Sequence, residues 1–237
     1  MPRTRLVTSA ALSALLVAPL AGAVASAAGA AGAPTASSLL AASGHALKGE
    51  HGVHLVVTTD RKGVRSAAVA DIGRSAGHES YVSGAERFDV AVNTKAAYLS
   101  GSPSGLRALM GLSAIQAAKV GTKWIVMKKG STQYKEFWLN LTATGFAAIL
   151  PSAKGTALLG TRDATTGGYQ LRWTTPKSST ASSSTTTLVI ASGSHALPLR
   201  EEVAAAGATS LTIFSHWGEA VHFARPSATI AYAKVFG

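Results

Sequence analysis

Seven histidines and eleven carboxylates are the side chains through which this sequence could bind a metal or run acid–base chemistry. His51 and His54 form the tightest histidine pair. A spacing of three sets two imidazoles on one face of a helix, but this pair straddles Gly52 at the start of a strand-like run, and no cysteine or carboxylate cluster completes a ligand set. His216 and His222 are expected at strand ends. Glu201 and Glu202 are adjacent, and neighbours on a strand point to opposite faces, so they do not form an acid–base pair. The sequence contains no G-x-S-x-G, no G-x-x-x-x-G-K-[ST], no G-x-G-x-x-G after a strand and no H-E-x-x-H. Asn140-Leu141-Thr142 matches a glycosylation acceptor but overlaps a helical pattern and reads as a chance match. The expectation is a non-enzymatic protein with no metal and no cofactor.

The residues that must position any site begin after an export-like leader. Arg3 and Arg5 precede an apolar run from Leu6 to Val24 and the small-x-small triplet Ala25-Ser26-Ala27, so residues 1–27 read as a secretory signal. Residues 28–38 read as a flexible Ala/Gly/Pro/Ser leader, and residues 39–237 as a single domain. A domain of that size buries roughly 70% of its unfolded surface and needs no staples. Cysteine is absent, so a secreted or envelope location without a cysteine-borne lipid anchor is expected. Net charge is +11, and removing Arg3 and Arg5 leaves +9. The charges are scattered and not interleaved with aromatics, which argues against nucleic acid; for an exported chain the anionic neighbours are membrane headgroups or cell-wall polymers.

Hydrophobic periodicity places the elements. Leu39–Leu47 suits a short helix with Ser37 or Ser38 as its cap. Val53–Thr59 and Val64–Ile72 form a hairpin across Arg61-Lys62-Gly63, and Glu79–Ser83, Phe88–Asn93 and Ala96–Ser100 continue as strands. The face of the second strand reading Val64, Ser66, Ala68, Ala70, Ile72 is small in its middle, which either leaves room for a cavity or lets a helix pack closely. Residues 102–150 are the helical part of the chain. Ser102-Pro103 starts one helix, Ser113 with Gln116 a second ending at Gly121, and Ser131 a third, while 142–150 continues to Pro151; a strand over Lys123–Met127 interrupts them. Ala157–Arg162 and Gly168–Thr174 resume strands. The Ser/Thr tract Pro176–Thr187 reads as an exposed loop or hairpin tip. Leu188–Ala191, Ala196–Val203 and Ser210–Ser215 finish the sheet, with Val221–Phe223 and Ile230–Phe236 as apolar tail segments. Trp124, Trp138, Trp173 and Trp217 read as core.

An ordered set of local patterns carries a family resemblance: Leu39-Leu40-Ala41 to Val53-His54-Leu55, Tyr98-Leu99-Ser100-Gly101, Lys123-Trp124-Ile125, Leu197-Pro198-Leu199-Arg200-Glu201, and Phe214-Ser215-His216-Trp217-Gly218-Glu219 with Pro226. Together, over about residues 39–227, they resemble exported actinobacterial proteins of the LolA-like, LppX/LprG-type lipoprotein superfamily. The resemblance implies an α+β fold, a curved antiparallel sheet or half-barrel wrapped around a block of short helices, with a hydrophobic cavity between them for lipid acyl chains. It departs from the lipid-anchored members in lacking a lipobox cysteine. The inward residues expected to line such a cavity are Leu55, Val57, Ala68, Ala70, Val90, Val92, Leu106, Leu109, Met110, Phe137, Phe146, Leu171 and Trp173. A void of ~300 Å³ left dry would cost about 7 kcal/mol at roughly 24 cal/mol per Å³. Such a cavity is therefore filled, hydrated or collapsed. The functional expectation is a secreted carrier or binder of a lipid or other hydrophobic small molecule in cell-envelope lipid trafficking. The alternative is an envelope interaction protein that docks on an anionic surface.

Overall fold

Turn chemistry sets the first hairpin. Lys62 and Gly63 both adopt positive φ, 53° and 82°, the type I′ geometry whose twist matches the strands it joins. Asp60 Oδ1 accepts from the Gly63 N–H at 3.0 Å. β1 (Gly52–Arg61) and β2 (Val64–Gly73) consequently pair along their whole length, from Gly52 opposite Gly73 to Arg61 opposite Val64. The computed structural model describes residues 34–142, 157–176 and 182–237.

β3 (Ala76–Ser83), β4 (Glu86–Asn93), β5 (Ala96–Gly101) and β6 (Trp124–Lys128) extend this meander antiparallel. A second meander runs through β7 (Leu158–Arg162), β8 (Tyr169–Thr175), β9 (Ser184–Ile190), β10 (Pro198–Ala205) and β11 (Ala208–Ser215). β11 pairs antiparallel with β1, Phe214 opposite Leu55, and joins the two meanders at one seam. β12 (Thr229–Ala231) returns parallel to β6. The result is one curved, unclosed sheet of 12 strands in the order β12-β6-β5-β4-β3-β2-β1-β11-β10-β9-β8-β7, with a few short helices. The expected α+β class holds.

Hydroxyl caps start four of the five described helices. α1 spans Ala36–Gly49, three residues earlier than expected: Thr35 is its cap, and Ser38 is the reciprocal partner whose Oγ accepts from the Thr35 N–H at 3.0 Å. α2 (Pro103–Met110) begins at Ser102, α3 (Ala114–Val120) at the Ser113–Gln116 capping box, and α4 (Thr132–Leu141) at Ser131. α5 (Tyr232–Phe236) closes the chain without a side-chain cap. The helical continuation over 142–150 and its stop at Pro151 fall outside the described residues, apart from Thr142, which caps the end of α4.

The loop reading of Pro176–Thr187 is corrected at its end. β9 begins at Ser184, and Thr186 is buried on its inner face beside Trp173. Threonine is β-branched and favours a pleated surface, so alternation with Leu188 and Ile190 outweighs the loop-like composition. Residues 216–228 contribute no strand; Trp217 packs on Phe214 of the inner face, and the segment after it runs across the outer face of the sheet. There the Phe223 ring lies 6.2 Å from His78, 5.8 Å from Tyr98 and 5.9 Å from Trp124, outward residues of β3, β5 and β6. His216 follows β11 directly, whereas His222 lies in this crossing rather than at a strand end.

The inner face carries the core in three clusters. The largest joins Val90, Val92, Leu99 and Ile125 of β4–β6 to Leu106, Leu109 and Met110 of α2, Phe137 of α4 and Val235 of α5. A second joins Leu47 of α1 to Val53, Leu55, Ala70, Ile72 and Phe214. The third joins Ala36 and Leu39 of α1 to Leu171, Trp173, Leu188 and Ile190. Two glycines permit the closest approaches of helix to sheet. A Cβ on Gly77 would meet the Leu141 carbonyl of α4, and one on Gly105 of α2 would meet the Arg87 carbonyl of β4.

Candidate functional site

Alternation from the registers assigns one face of every long strand to the interior. Leu55 faces Ala70, Val57 faces Ala68, Glu79 faces both Ala70 and Val90, and Leu171 faces Leu188. Twelve of the thirteen residues expected on a cavity wall are buried on this inner side, and Phe146 lies outside the described residues. They do not form one group. Val90, Val92, Leu106, Leu109, Met110 and Phe137 pack with the helical block, Leu55 and Ala70 with Leu47 of α1, and Leu171 with Trp173 against Ala36 and Leu39. Val57 and Ala68, paired across β1 and β2, belong to none of these clusters although only 6% and 5% exposed. Of the small strip foreseen on β2, Ala70 packs with Leu47 of α1, while Ala68 lies outside these clusters.

Next to that strip the inner face turns polar. Glu201 on β10 sits opposite Thr212 of β11, which in turn sits opposite Val57 of β1; on its other side Glu201 meets Leu188 of β9. Glu201 and Thr212 are each 9% exposed. Among the described residues nothing donates a hydrogen bond or offers a cation to the Glu201 carboxylate. Removal from water disfavours its charged form, and burial pushes its pKa up to about 7. Its neighbour Glu202 is exposed on the opposite face, as the alternation of a strand requires. A second inward carboxylate, Glu79, is 6% exposed on β3.

Sequence reasoning did not select these two glutamates. The usable signal was phase: Glu201 alternates with Val203 and against Arg200 and Glu202, which marks it inward once the strand is accepted. The other buried carboxylate has a local structural task. Asp163 Oδ1 accepts from the Thr165 and Thr166 N–H groups at 3.1 and 2.9 Å and from Thr166 Oγ1 at 3.0 Å. Its Oδ2 accepts from Arg200 at 3.1 Å. The Thr166 hydrogen bonds, supported by Arg200, hold its pKa below the ordinary carboxylate value.

The histidines stay apart from this interior. His54 Nδ1 lies 2.8 Å from Asp71 Oδ1 on the outer face, and its ring is 5.5 Å from that of His216. Among the described residues no group of three or more His, Asp or Glu could hold a metal ion. A groove of about 560 Å³ is lined by Thr58, Asp60, Ala67, Val82, Thr209 and Leu211 among others. These alternate with the inward set, and although Thr59 and Ser66 at its edge share the inward phase, the groove lies chiefly on the face opposite the helices. Among the described residues no helix is long and apolar enough to cross a membrane.

No family model matches the sequence, and no curated protein matches it. Several solved structures are similar to it in three dimensions. The Mycobacterium tuberculosis lipoprotein LppX is 20% identical, with 79% of this chain and 99% of that chain covered at a TM-score of 0.49. LprF from Mycobacterium bovis is 16% identical, with 79% and 95% covered at 0.48. MucB, solved in complex with the periplasmic part of MucA, is 12% identical, with 84% and 58% covered at 0.37.

Proposed function

We propose that this chain is a secreted, non-enzymatic binder and carrier of a hydrophobic ligand, a lipid or other acyl-bearing molecule, held against the inner face of the sheet and serving lipid traffic in the cell envelope. The observation that carries the reading is the strip at Val57 and Ala68. It is apolar and buried, and among the described residues it joins none of the clusters that α1 on one side and α2–α5 on the other make with the sheet. An acyl chain laid there joins the two halves of the core, and each buried methylene contributes ~0.8 kcal/mol without any polar specificity. The resemblance in sequence motifs implies the same class of ligand.

Native mass spectrometry with organic extraction, on protein purified from an envelope-containing source, tests this reading. Stoichiometric lipid is the expected result. A clean apo protein in every detergent-free preparation would sink it.

A second reading, docking on an anionic membrane or cell-wall surface, is favoured by how charge is sorted. All three buried charged residues among those described, Glu79, Asp163 and Glu201, are acidic, so the excess of Lys and Arg lies towards solvent. Adsorption to anionic vesicles that weakens steeply between 0.01 and 1 M salt, about 30 Å and 3 Å of screening length, would support it. Adsorption unaffected by salt would oppose it.

A further inference from the structure

We infer that Glu201 is the polar anchor of the interior site, and that the ligand is an amphiphile whose head carries hydroxyl or ammonium donors rather than a phosphate or carboxylate. The inference rests on the hydrophobic-carrier reading and specifies its ligand class.

Three observations carry it. Glu201 is 91% buried in register with Thr212 and Leu188, beside the Val57–Ala68 strip. Its carboxylate has no donor among the described residues, and with 9% of the residue exposed its oxygens keep a narrow contact with solvent that leaves them open to a donor from a ligand. The buried charge on the described inner face is acidic only, Glu79 being the other, with no buried Lys, Arg or His there. The residues in register with Glu201 on the inner face are hydroxyl or apolar: Thr212 of β11, Leu188 of β9 and, beyond Thr212, Val57 of β1.

A head with O–H or N–H donors satisfies the carboxylate while its chain runs over Val57 and Ala68. An anionic head would place like charge against Glu201 in a site with no buried cation among the described residues, which is unfavourable. The site therefore selects by repulsion as well as by attraction.

The experiment uses the full chain at pH 8 and four probes sharing a twelve-carbon chain: monolauroylglycerol, dodecylamine, dodecanoate and lauroyl-lysophosphatidylglycerol. Binding is read by native mass spectrometry and by tryptophan fluorescence. Monolauroylglycerol and dodecylamine should bind at least about tenfold more tightly than the two anionic probes, the factor expected of one hydrogen bond to a charged group. Glu201→Gln should compress that ratio to within about threefold by relieving repulsion of the anionic heads, and Glu201→Asp, which keeps the carboxylate, should retain a preference. A thermal melt confirms that each variant is folded. Equal affinity for all four heads, or a ratio unchanged in folded Glu201→Gln, overturns the anchor and leaves the carrier reading standing. If the wild-type chain binds none of the four, the carrier reading fails and takes the anchor with it.

Discussion

Two buried carboxylates in this molecule respond to pH with opposite signs. Glu201 has a folded pKa of about 7 against an ordinary 4.5, so the folded state holds its proton more tightly than the unfolded chain does. Its neutral form is favoured fully below about pH 4.5, and that stability is lost as pH rises through about 7, a difference of roughly 3 kcal/mol at 1.36 kcal/mol per pKa unit. Glu201→Gln should therefore leave urea stability near wild type at pH 4 and raise it at pH 8. Asp163 behaves the other way, because its lowered pKa means that its contribution is present above the ordinary carboxylate range and is lost as pH falls through the folded value. Asp163→Asn should lower the urea midpoint at pH 7 by weakening the hydrogen bonds from Thr165, Thr166 and Arg200. The difference from wild type should shrink in acid melts. Alternation alone placed Leu55, Val90, Leu171 and Trp173 correctly inward, because a period of two is a local property. The burial of Glu201 was less legible. Beside Glu202 it reads as a polar strand end, and its environment is made by β9 and β11, which no local pattern connects to it.

Helix starts were readable wherever the cap is a hydroxyl followed by helical spacing, as at Ser102, Ser113 and Ser131. α1 was misplaced because three hydroxyls compete, and the first of them, Thr35, takes the capping role while Ser38 becomes its partner. Glycine roles divide by what stands opposite. At Gly77 an added methyl would meet the Leu141 carbonyl oxygen, so Gly77→Ala must push α4 off β3. A loss of ~1–3 kcal/mol is expected from such overpacking, seen as a lower urea midpoint. At Gly49, the last residue of α1, nothing stands within 4 Å of a Cβ. Gly49→Ala should raise stability by up to ~1 kcal/mol, seen as a higher urea midpoint, through the lower chain entropy of the unfolded state. If Gly77→Ala left the midpoint unchanged or raised it, the seating of α4 on Gly77 would be wrong. Two strand runs were expected over Ala157–Arg162 and Gly168–Thr174, but nothing in either announced that Asp163 would tie the turn between them to Arg200 of β10.

At the scale of the whole molecule, short connections correctly suggested antiparallel neighbours, whereas the parallel return of β12 and the pairing of β1 with β11 leave no signature in sequence. The segment after Trp217 must cross the outer face to bring β12 beside β6, and the crossing is fastened by Phe223 against His78, Tyr98 and Trp124. Phe223→Ala should loosen that fastening, seen as faster amide exchange in β12 and β6 than in β9 and β10. Equal acceleration throughout would show that the sheet opens only as one unit.

The seam between β1 and β11 also has a temporal consequence. Leu55 and Phe214 stand opposite each other from roughly 160 residues apart in sequence, whereas successive strands within each meander are joined by short connections over much of their length. Local pairings form early, and the seam must wait for closure of a long loop, which slows folding. Until it closes, β1 and β11 each expose an unpaired edge, the kind of surface that recruits other chains. Aggregation during refolding should therefore rise with protein concentration in proportion to the lifetime of the open seam. A peptide spanning β11, residues 208–215, added in excess, should compete for the edge of β1 and retard recovery of the native state.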